Sequence, residues 1–315
     1  MFTLQGGREI NKTDKPFYYG GQALIEGVMM RGKRYFAVAV RRPDGQISIK
    51  SEPLSPFCNH KVRELPFVRG FLSIVEAMTL GTRCLMYSAN ASQGEENAVP
   101  DKALWLSLAI GVLFAVGLFF IAPLFLVAIL DNYISSSLIS NLSEGFIRLL
   151  IFFIYLWLIN LIPEIRRVFA YHGAEHMAVN AYESGVPLEV EPVRKYSTAH
   201  MRCGTSFLIL VMFVSILIFA LLGRPPLWLR LLSRIAFIPL IAAVAYEAIR
   251  LGANHTRNPG VRLMLAPGLA LQSLTTRKPD DSQLEVAISA LKEVIKADKE
   301  NLESKILIPK SETPG

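Results

Sequence analysis

The sequence predicts a mainly α-helical fold: a bundle of four transmembrane helices, with a small β-containing cytoplasmic region before it and amphipathic cytoplasmic helices around it. Two observations support this prediction. Of the 315 residues, 52% are hydrophobic and the mean hydropathy is +0.37, which is too apolar for an ordinary soluble domain. In addition, residues 103–130 and 204–223 carry no charge, and each stretch is long enough to cross a hydrocarbon core of about 30 Å as a helix.

Two further segments fit membrane helices less closely, because each carries charge near an end. Residues 145–163 contain Arg148, and residues 227–249 contain two arginines near one end and Glu247 at the other. Charged side chains near the end of a span can reach the interface, so both segments are predicted as spans. The alternative makes one of them a buried or re-entrant helix.

The basic residues of the loops orient the spans. Fourteen Lys and Arg precede the first span and ten follow the last, whereas residues 164–203 hold five and residues 131–143 hold none. The positive-inside rule therefore predicts that both termini and the 164–203 loop are cytoplasmic. The exception is the loop before the fourth span, where Arg224, Arg230 and Arg234 are predicted outside. The net charge of +7 suits an anionic bilayer as partner better than nucleic acid, because no basic helix or aromatic platform accompanies it.

The segments outside the spans are predicted from turn and helix signals. Residues 1–65 are expected to be β-rich, because Pro43-Asp44-Gly45 is a strong turn signal between two strand-like runs. Residues 66–100 are expected to form an amphipathic helix that lies on the membrane or packs beneath it. The membrane domain occupies residues 101–250. Residues 251–300 are predicted as cytoplasmic or interfacial helices and residues 301–315 as a tail.

The stretch at residues 171–176 carries the clearest chemical signal. His172 and His176 are four residues apart, so on a helix they share one face and can bind one metal ion. Glu175 lies beside them, where a carboxylate can hold a water. The predicted topology brings further candidate ligands and polar groups to the same membrane face. These are His200, Cys203, Glu247 and His255, with Glu26 and Arg31 either contributing from the amino-terminal region or pairing locally.

The His-x-x-Glu-His pattern resembles the inverted zinc motif of the inverzincin metalloproteases. That resemblance implies that His172 and His176 bind zinc and that Glu175 is the general base. It also implies Glu247 as the third ligand, 71 residues after His176. His200 and Cys203 offer alternative ligands, and a site closed by two or three histidines and a cysteine is typical of structural zinc.

Several motifs together resemble the YqhQ-like family of bacterial membrane proteins over about residues 17–295. These motifs are residues 21–31 (GQALIEGVMMR), 171–176 (YHGAEH), 200–207 (HMRCGTSF), 246–247, 272–276 and 285–288. The resemblance implies a bacterial inner-membrane, multi-pass domain of unknown function that is described as a predicted metal-dependent enzyme.

The sequence therefore favours an integral membrane protein with a zinc or other divalent-metal site at the cytoplasmic membrane face. If that site is catalytic, the expected chemistry is hydrolysis of a membrane-associated substrate. The alternative is a non-enzymatic scaffold in which the His/Glu cluster is structural. In that case the expected partners are membrane proteins, such as the protein insertion or export machinery.

Overall fold

The computed structural model describes residues 17–54, 65, 67–94, 99–254 and 258–306, and it confirms a mainly helical chain with a small antiparallel sheet. The strands are β1 (Gly20–Leu24), β2 (Gly27–Arg31), β3 (Tyr35–Arg41) and β4 (Ile47–Pro53). The first helices are α1 (Val68–Ala91), α2 (Asp101–Val116), α3 (Ala122–Leu130), α4 (Ser137–Ile159) and α5 (Pro163–Glu183). The others are α6 (Val190–Val193), α7 (Gly204–Leu221), α8 (Leu227–Ala236), α9 (Ile238–Asn254), α10 (Pro259–Thr275) and α11 (Asp281–Ile306).

The four strands form an antiparallel meander in the order β1-β2-β3-β4. The predicted hairpin is confirmed, with Arg41 paired to Ile47 and Gly45 in a left-handed conformation at the turn. The β1–β2 hairpin was not predicted. Its two-residue turn places Glu26 at a positive φ of 50°, which a non-glycine residue rarely adopts.

Helix α11 covers one face of this sheet and completes its core. Its buried Leu284, Leu291 and Val294 pack in one cluster with Val28 and Met30 of β2. The sequence predicted helices within residues 251–300, and α11 extends to 26 residues, with its apolar face buried against the sheet. The predicted tail at residues 301–315 is helical as far as residue 306, and residues 307–315 lie outside the described part.

One carboxylate of α11 fastens the turn between β2 and β3. Asp298 accepts backbone N–H groups from Lys33, Arg34 and Tyr35 at 2.7 to 3.2 Å. A Cβ added at Gly32 would lie 2.3 Å from an Asp298 oxygen, so the glycine is needed for this approach. The contact joins residues more than 260 positions apart in the chain.

We expect Asp298→Asn to destabilise the protein by about 2 kcal/mol, because an amide oxygen cannot replace both carboxylate acceptors in a buried position. Thermal unfolding of the purified protein measures the change. Glu300→Gln, on the exposed face of the same helix, is the matched control and should change stability by less than about 0.5 kcal/mol. Equal losses in the two variants would contradict the role assigned to Asp298.

Three helical stretches are long and apolar enough to cross a membrane: Lys102–Leu130, Ser137–Ile159 and Gly204–Leu221. Helices α8 and α9 pass the same test only as a pair bent by 44°, so the count becomes four if they form one span. The second stretch begins eight residues earlier than the sequence predicted. Arg148 therefore lies midway along α4, not near one end of a span.

Arg148 is accommodated by a break in the helical hydrogen bonding of the preceding stretch. Its Nε donates to the carbonyl of Phe119 at 2.9 Å. That carbonyl cannot accept an ordinary helical bond from residue 123, because Pro123 has no N–H. The chain forms a π-helical turn over Gly117–Ile121 at this point, and the arginine supplies the missing donor.

A buried ion network surrounds the same region. Glu144 accepts from Arg148, Arg230 and Arg234 at distances of 2.5 to 3.2 Å, and these four side chains are almost fully buried. Asp131 pairs with Arg230 and Arg224. The three arginines that broke the positive-inside pattern thus all belong to this network.

Helix α1 presents its polar stripe to the protein and an apolar stripe outward. Arg69, Glu76 and Arg83 recur every seven residues, and they pair with Glu247 of α9, Arg31 of β2 and Glu52 of β4, respectively. The members of the outward stripe are three, four or seven residues apart, so they share one face of the helix. The stripe consists of Val68, Phe71, Val75, Met78 and Leu85, all exposed. The predicted helix over residues 66–100 is present from residue 68 to residue 91.

Candidate metal centre

Helix α5 forms the floor of the candidate site. The helix begins at Pro163, whose fixed φ suits a first helical position, and it is buried from Ala170 to Ala181 except at His172 and Asn180. Gly173 lets the linker after α10 come close, since a Cβ there would lie 2.0 Å from the carbonyl oxygen of Arg277. This close approach positions the end of α10 beside the two histidines.

Three side chains from two elements bring their ligand atoms together. The ligand atoms of His172, His176 and Cys203 all lie within 4.8 Å of one another, and His172 Nε2 is 3.2 Å from Cys203 Sγ. Ligands on a tetrahedral zinc ion with bonds of about 2.0 and 2.3 Å are separated by roughly 3.5 Å. The donor set and spacing therefore fit a divalent metal that prefers nitrogen and sulfur ligands.

Backbone carbonyls fix the orientation of both imidazoles. His172 Nδ1 lies 2.8 Å from the carbonyl of Thr275, and His176 Nδ1 lies 2.5 Å from the carbonyl of Thr198. A carbonyl only accepts, so each Nδ1 carries the proton and each Nε2 keeps its lone pair. Metal-binding histidines are typically held in this way by a second hydrogen bond to a carbonyl or carboxylate.

Glu175 lies buried beside the ligand atoms. Its Oε2 is 3.4 Å from His176 Nε2, and it accepts the backbone N–H of Gly21 from β1. Burial raises the pKa of this carboxyl from 4.5 to about 7, against the opposing effects of His172 and the Gly21 bond. A Cβ at Gly21 would lie 2.4 Å from the carbonyl of Met29 and 2.9 Å from Glu175 Cγ, so only glycine permits this contact.

His200 lies next to this group but is engaged elsewhere. Its ring centre is 5.7 Å from that of His176, and its Nε2 is 3.6 Å from Glu183. Burial lowers the pKa of this imidazole to about 4, so it is neutral at pH 7. The side-chain amide of Gln272 makes two hydrogen bonds with the His200 backbone. It accepts from the His200 N–H and donates to the His200 carbonyl, each at 2.9 Å.

The remaining residues named from the sequence are placed outside the ligand group. Glu247 forms a two-oxygen pair with Arg69 and also accepts the Phe67 N–H. It does not join the histidines because the arginine of α1 holds both of its oxygens.

Glu26 and Arg31 each form an ion pair with a distant helix, and Arg31 also lines the cavity above the ligand group. Glu26 accepts from Arg167 and from the Tyr171 hydroxyl, which ties the β1–β2 turn to α5. Arg31 pairs with Glu76 of α1. His255 lies outside the described residues.

A cavity of about 570 Å³ opens above the ligand group. Its lining includes the three ligand candidates, Glu175, His200 and Arg202, which stacks on Tyr18 at 3.9 Å. Strand β1, helix α1, the start of α7 and Tyr246 of α9 form the walls. The group is therefore reachable from a space large enough for a small molecule or a chain segment.

Sequence reasoning missed the groups that support the ligands. Thr198 and Thr275 act through backbone carbonyls, and Gly21 through its N–H, so residue type gives no signal for them. Gln272 belongs to the polar motif at residues 272–276, but nothing in the sequence indicates which segment its side chain contacts. In the structure, Gln272 of α10 holds the His200 loop through two hydrogen bonds to the His200 backbone.

Comparisons with known proteins identify the family of the chain but assign no site residues. Residues 65–297 match the model of a family described as "Protein of unknown function (DUF1385)". The chain is 37% identical over 304 residues to the uncharacterized protein YqhQ of Bacillus subtilis (strain 168), covering 91% of this chain and 95% of that protein. No solved structure matches the chain. Because the family match spans well over half of the chain and the relative covers nearly all of it, the chain belongs to the DUF1385 family of YqhQ-like proteins.

Proposed function

We propose that this protein is a membrane-embedded, metal-dependent hydrolase whose His172, His176 and Cys203 hold a divalent ion, with zinc the expected metal. The observation that carries the proposal is the paired orientation of the imidazoles. Both Nδ1–H groups donate to backbone carbonyls, so both Nε2 atoms are left as potential metal ligands, and ligand atoms of the two rings and of Cys203 lie within 4.8 Å of one another.

The arrangement supports an open site better than a closed structural one. Structural zinc sites use four protein ligands, whereas the group here contains three among the described residues. A metal bound there would lower the pKa of a water in the fourth position. Glu175 lies beside His176 Nε2 with a pKa near 7, so it can accept and release a proton at neutral pH.

The position of the cavity supports a membrane-associated substrate. Its walls include Gly204, the first residue of an apolar helix long enough to span, and Tyr246 of α9. Another wall is α1, which lines the cavity with Ser73 and Ala77 and exposes its apolar stripe on the opposite side. A stripe of this kind on an amphipathic helix suits insertion into the headgroup region of a bilayer. A lipid-linked molecule or a membrane-protein segment could enter from that level.

The test is metal analysis of the full chain purified in a neutral detergent. We expect about one equivalent of zinc in the wild type, and a zinc affinity at least tenfold weaker in Cys203→Ser and in His176→Ala. Cys84→Ser is the matched control, because Cys84 is also a buried free cysteine but packs between α1 and the sheet. Absence of stoichiometric metal in the wild type would sink the proposal, and so would an equal loss in Cys84→Ser.

Glu175→Gln separates the hydrolase from the scaffold alternative. The hydrolase requires that this variant keep its metal and fail to complement a deletion of the gene. Full complementation by a metal-loaded Glu175→Gln protein would instead favour a structural cluster that joins α5, α7 and α10.

A further inference from the structure

A second cavity, of about 500 Å³, lies where α4 ends and α5 begins, and its charged lining is mostly basic. Arg166 and Arg167 come from the first two turns of α5, and Arg277 and Lys278 come from the linker between α10 and α11. We call this cavity the basic basin. Asp280 is the acidic group in its lining.

The charges of the basin are not balanced within the described residues. Arg167 pairs with Glu26, and the Asp280 carboxylate is engaged by the Ser282 hydroxyl and the Gln283 N–H, where it caps α11. Arg166, Arg277 and Lys278 have no carboxylate partner in the part of the chain that the structure describes. With Asp280 counted against them, a surplus of two positive charges remains.

A buried asparagine holds two of these cations in place. Asn160, at the end of α4, accepts from Arg166 through its backbone carbonyl and from Arg277 through Oδ1 at 2.9 Å. Its own amide nitrogen donates to the carbonyls of Leu156 and Leu274. The two guanidiniums are therefore fixed by neutral acceptors, which leaves their charge available to an anion.

The surroundings of the basin point to a lipid rather than a soluble anion. Trp157 of α4, two residues before the end of the helix, is 59% exposed. Leu161 and Ile162, at the corner between α4 and α5, are also exposed. An exposed tryptophan and apolar corner residues next to a basic cluster are typical of the level at which a helix leaves the bilayer.

We propose that the basic basin binds the phosphate of an acidic phospholipid, with Arg166, Arg277 and Lys278 around the headgroup and the acyl chains along α4 beside Trp157. The basin is separate from the metal centre. The proposal rests on the membrane placement of α4 and does not require a metal or hydrolysis.

The test compares phosphatidylglycerol with phosphatidylcholine, added to the full chain in a neutral detergent, by native mass spectrometry and thermal unfolding. We expect the wild type to bind phosphatidylglycerol at least tenfold more tightly. The variant Arg166→Gln/Arg277→Gln/Lys278→Gln should lose this preference. Each Lys or Arg near a membrane surface is expected to strengthen binding of an anionic lipid by about fivefold. The matched control is Lys292→Gln/Lys296→Gln/Lys299→Gln, which removes three charges from another groove and should retain it.

Lys278→Glu is a second variant whose folding should be unaffected, because Lys278 has no carboxylate partner in the described part of the chain. This single variant should weaken phosphatidylglycerol binding by at least fivefold while unfolding at the temperature of the wild type. Equal effects of the basin and control variants would overturn the proposal. Inorganic phosphate or glycerophosphoglycerol that protects as well as the intact lipid would overturn the lipid as the source of the phosphate.

Discussion

Glu175→Gln is expected to stabilise the metal-free protein at pH 8 by about 3 kcal/mol and to change its stability little at pH 5. The carboxyl is fully buried, and its pKa is raised from 4.5 to about 7 in the folded protein. The folded state therefore holds its proton more tightly than the unfolded chain does. Stability is highest below pH 4.5 and falls as the pH rises through 7, because a buried negative charge must then form. Glutamine resembles the neutral acid and removes this cost.

Thermal unfolding of chelator-treated protein across pH 5 to 8 measures the effect. Glu164→Gln is the matched control, since Glu164 is exposed in the first turn of the same helix. A parallel pH dependence in wild type and Glu175→Gln would contradict the prediction. A buried carboxylate without a cationic partner lowers the stability of the folded protein. Such a residue is expected at a functional site, because a purely structural role does not require it.

Glu144→Gln is expected to destabilise the protein by about 3 to 5 kcal/mol, enough to reduce the yield of folded protein sharply. The substitution leaves Arg148, Arg230 and Arg234 buried around a neutral amide. The desolvation cost of each guanidinium remains, while the attraction that offset it is lost. The yield of monodisperse protein in detergent and its unfolding temperature measure the effect.

Two comparisons make the Glu144 prediction specific. Glu191→Gln removes an exposed pair with Arg194 and should change stability by less than about 1 kcal/mol. Glu144→Gln/Arg234→Met removes one surplus charge along with the carboxylate and should recover part of the loss. No recovery in the double variant would show that charge imbalance is not the cause.

The carboxylates of Glu144 and Glu175 are both buried, but the charged groups around them differ. Glu144 is surrounded by three arginines, whereas Glu175 has a backbone N–H and imidazoles near it and, among the described residues, no arginine or lysine as a hydrogen-bond partner. The first arrangement holds helices α4 and α8 together. The second leaves a carboxyl with a raised pKa beside the candidate ligands.

The apolar helices show how much of the fold local hydropathy can predict. It located the uncharged stretches well, because their signal depends only on neighbouring residues. It placed the start of α4 eight residues late, because Glu144 and the polar residues before it reduce local hydropathy. Their burial by arginines of α8, about 90 residues away, is not visible in a local window.

The sequence by itself determined the helical character of the chain, the β3–β4 hairpin, and the pair of histidines on one face of α5. Each of these depends on residues within a few positions of one another. Only the tertiary structure decided that Cys203, and not Glu247, lies with the histidines. That outcome depends on the ion pair between Arg69 of α1 and Glu247. It also depends on the hydrogen bonds by which Gln272 holds the His200 loop. Such choices are made by packing between distant segments, where a single ion pair or backbone bond determines which of several suitable side chains reaches the site.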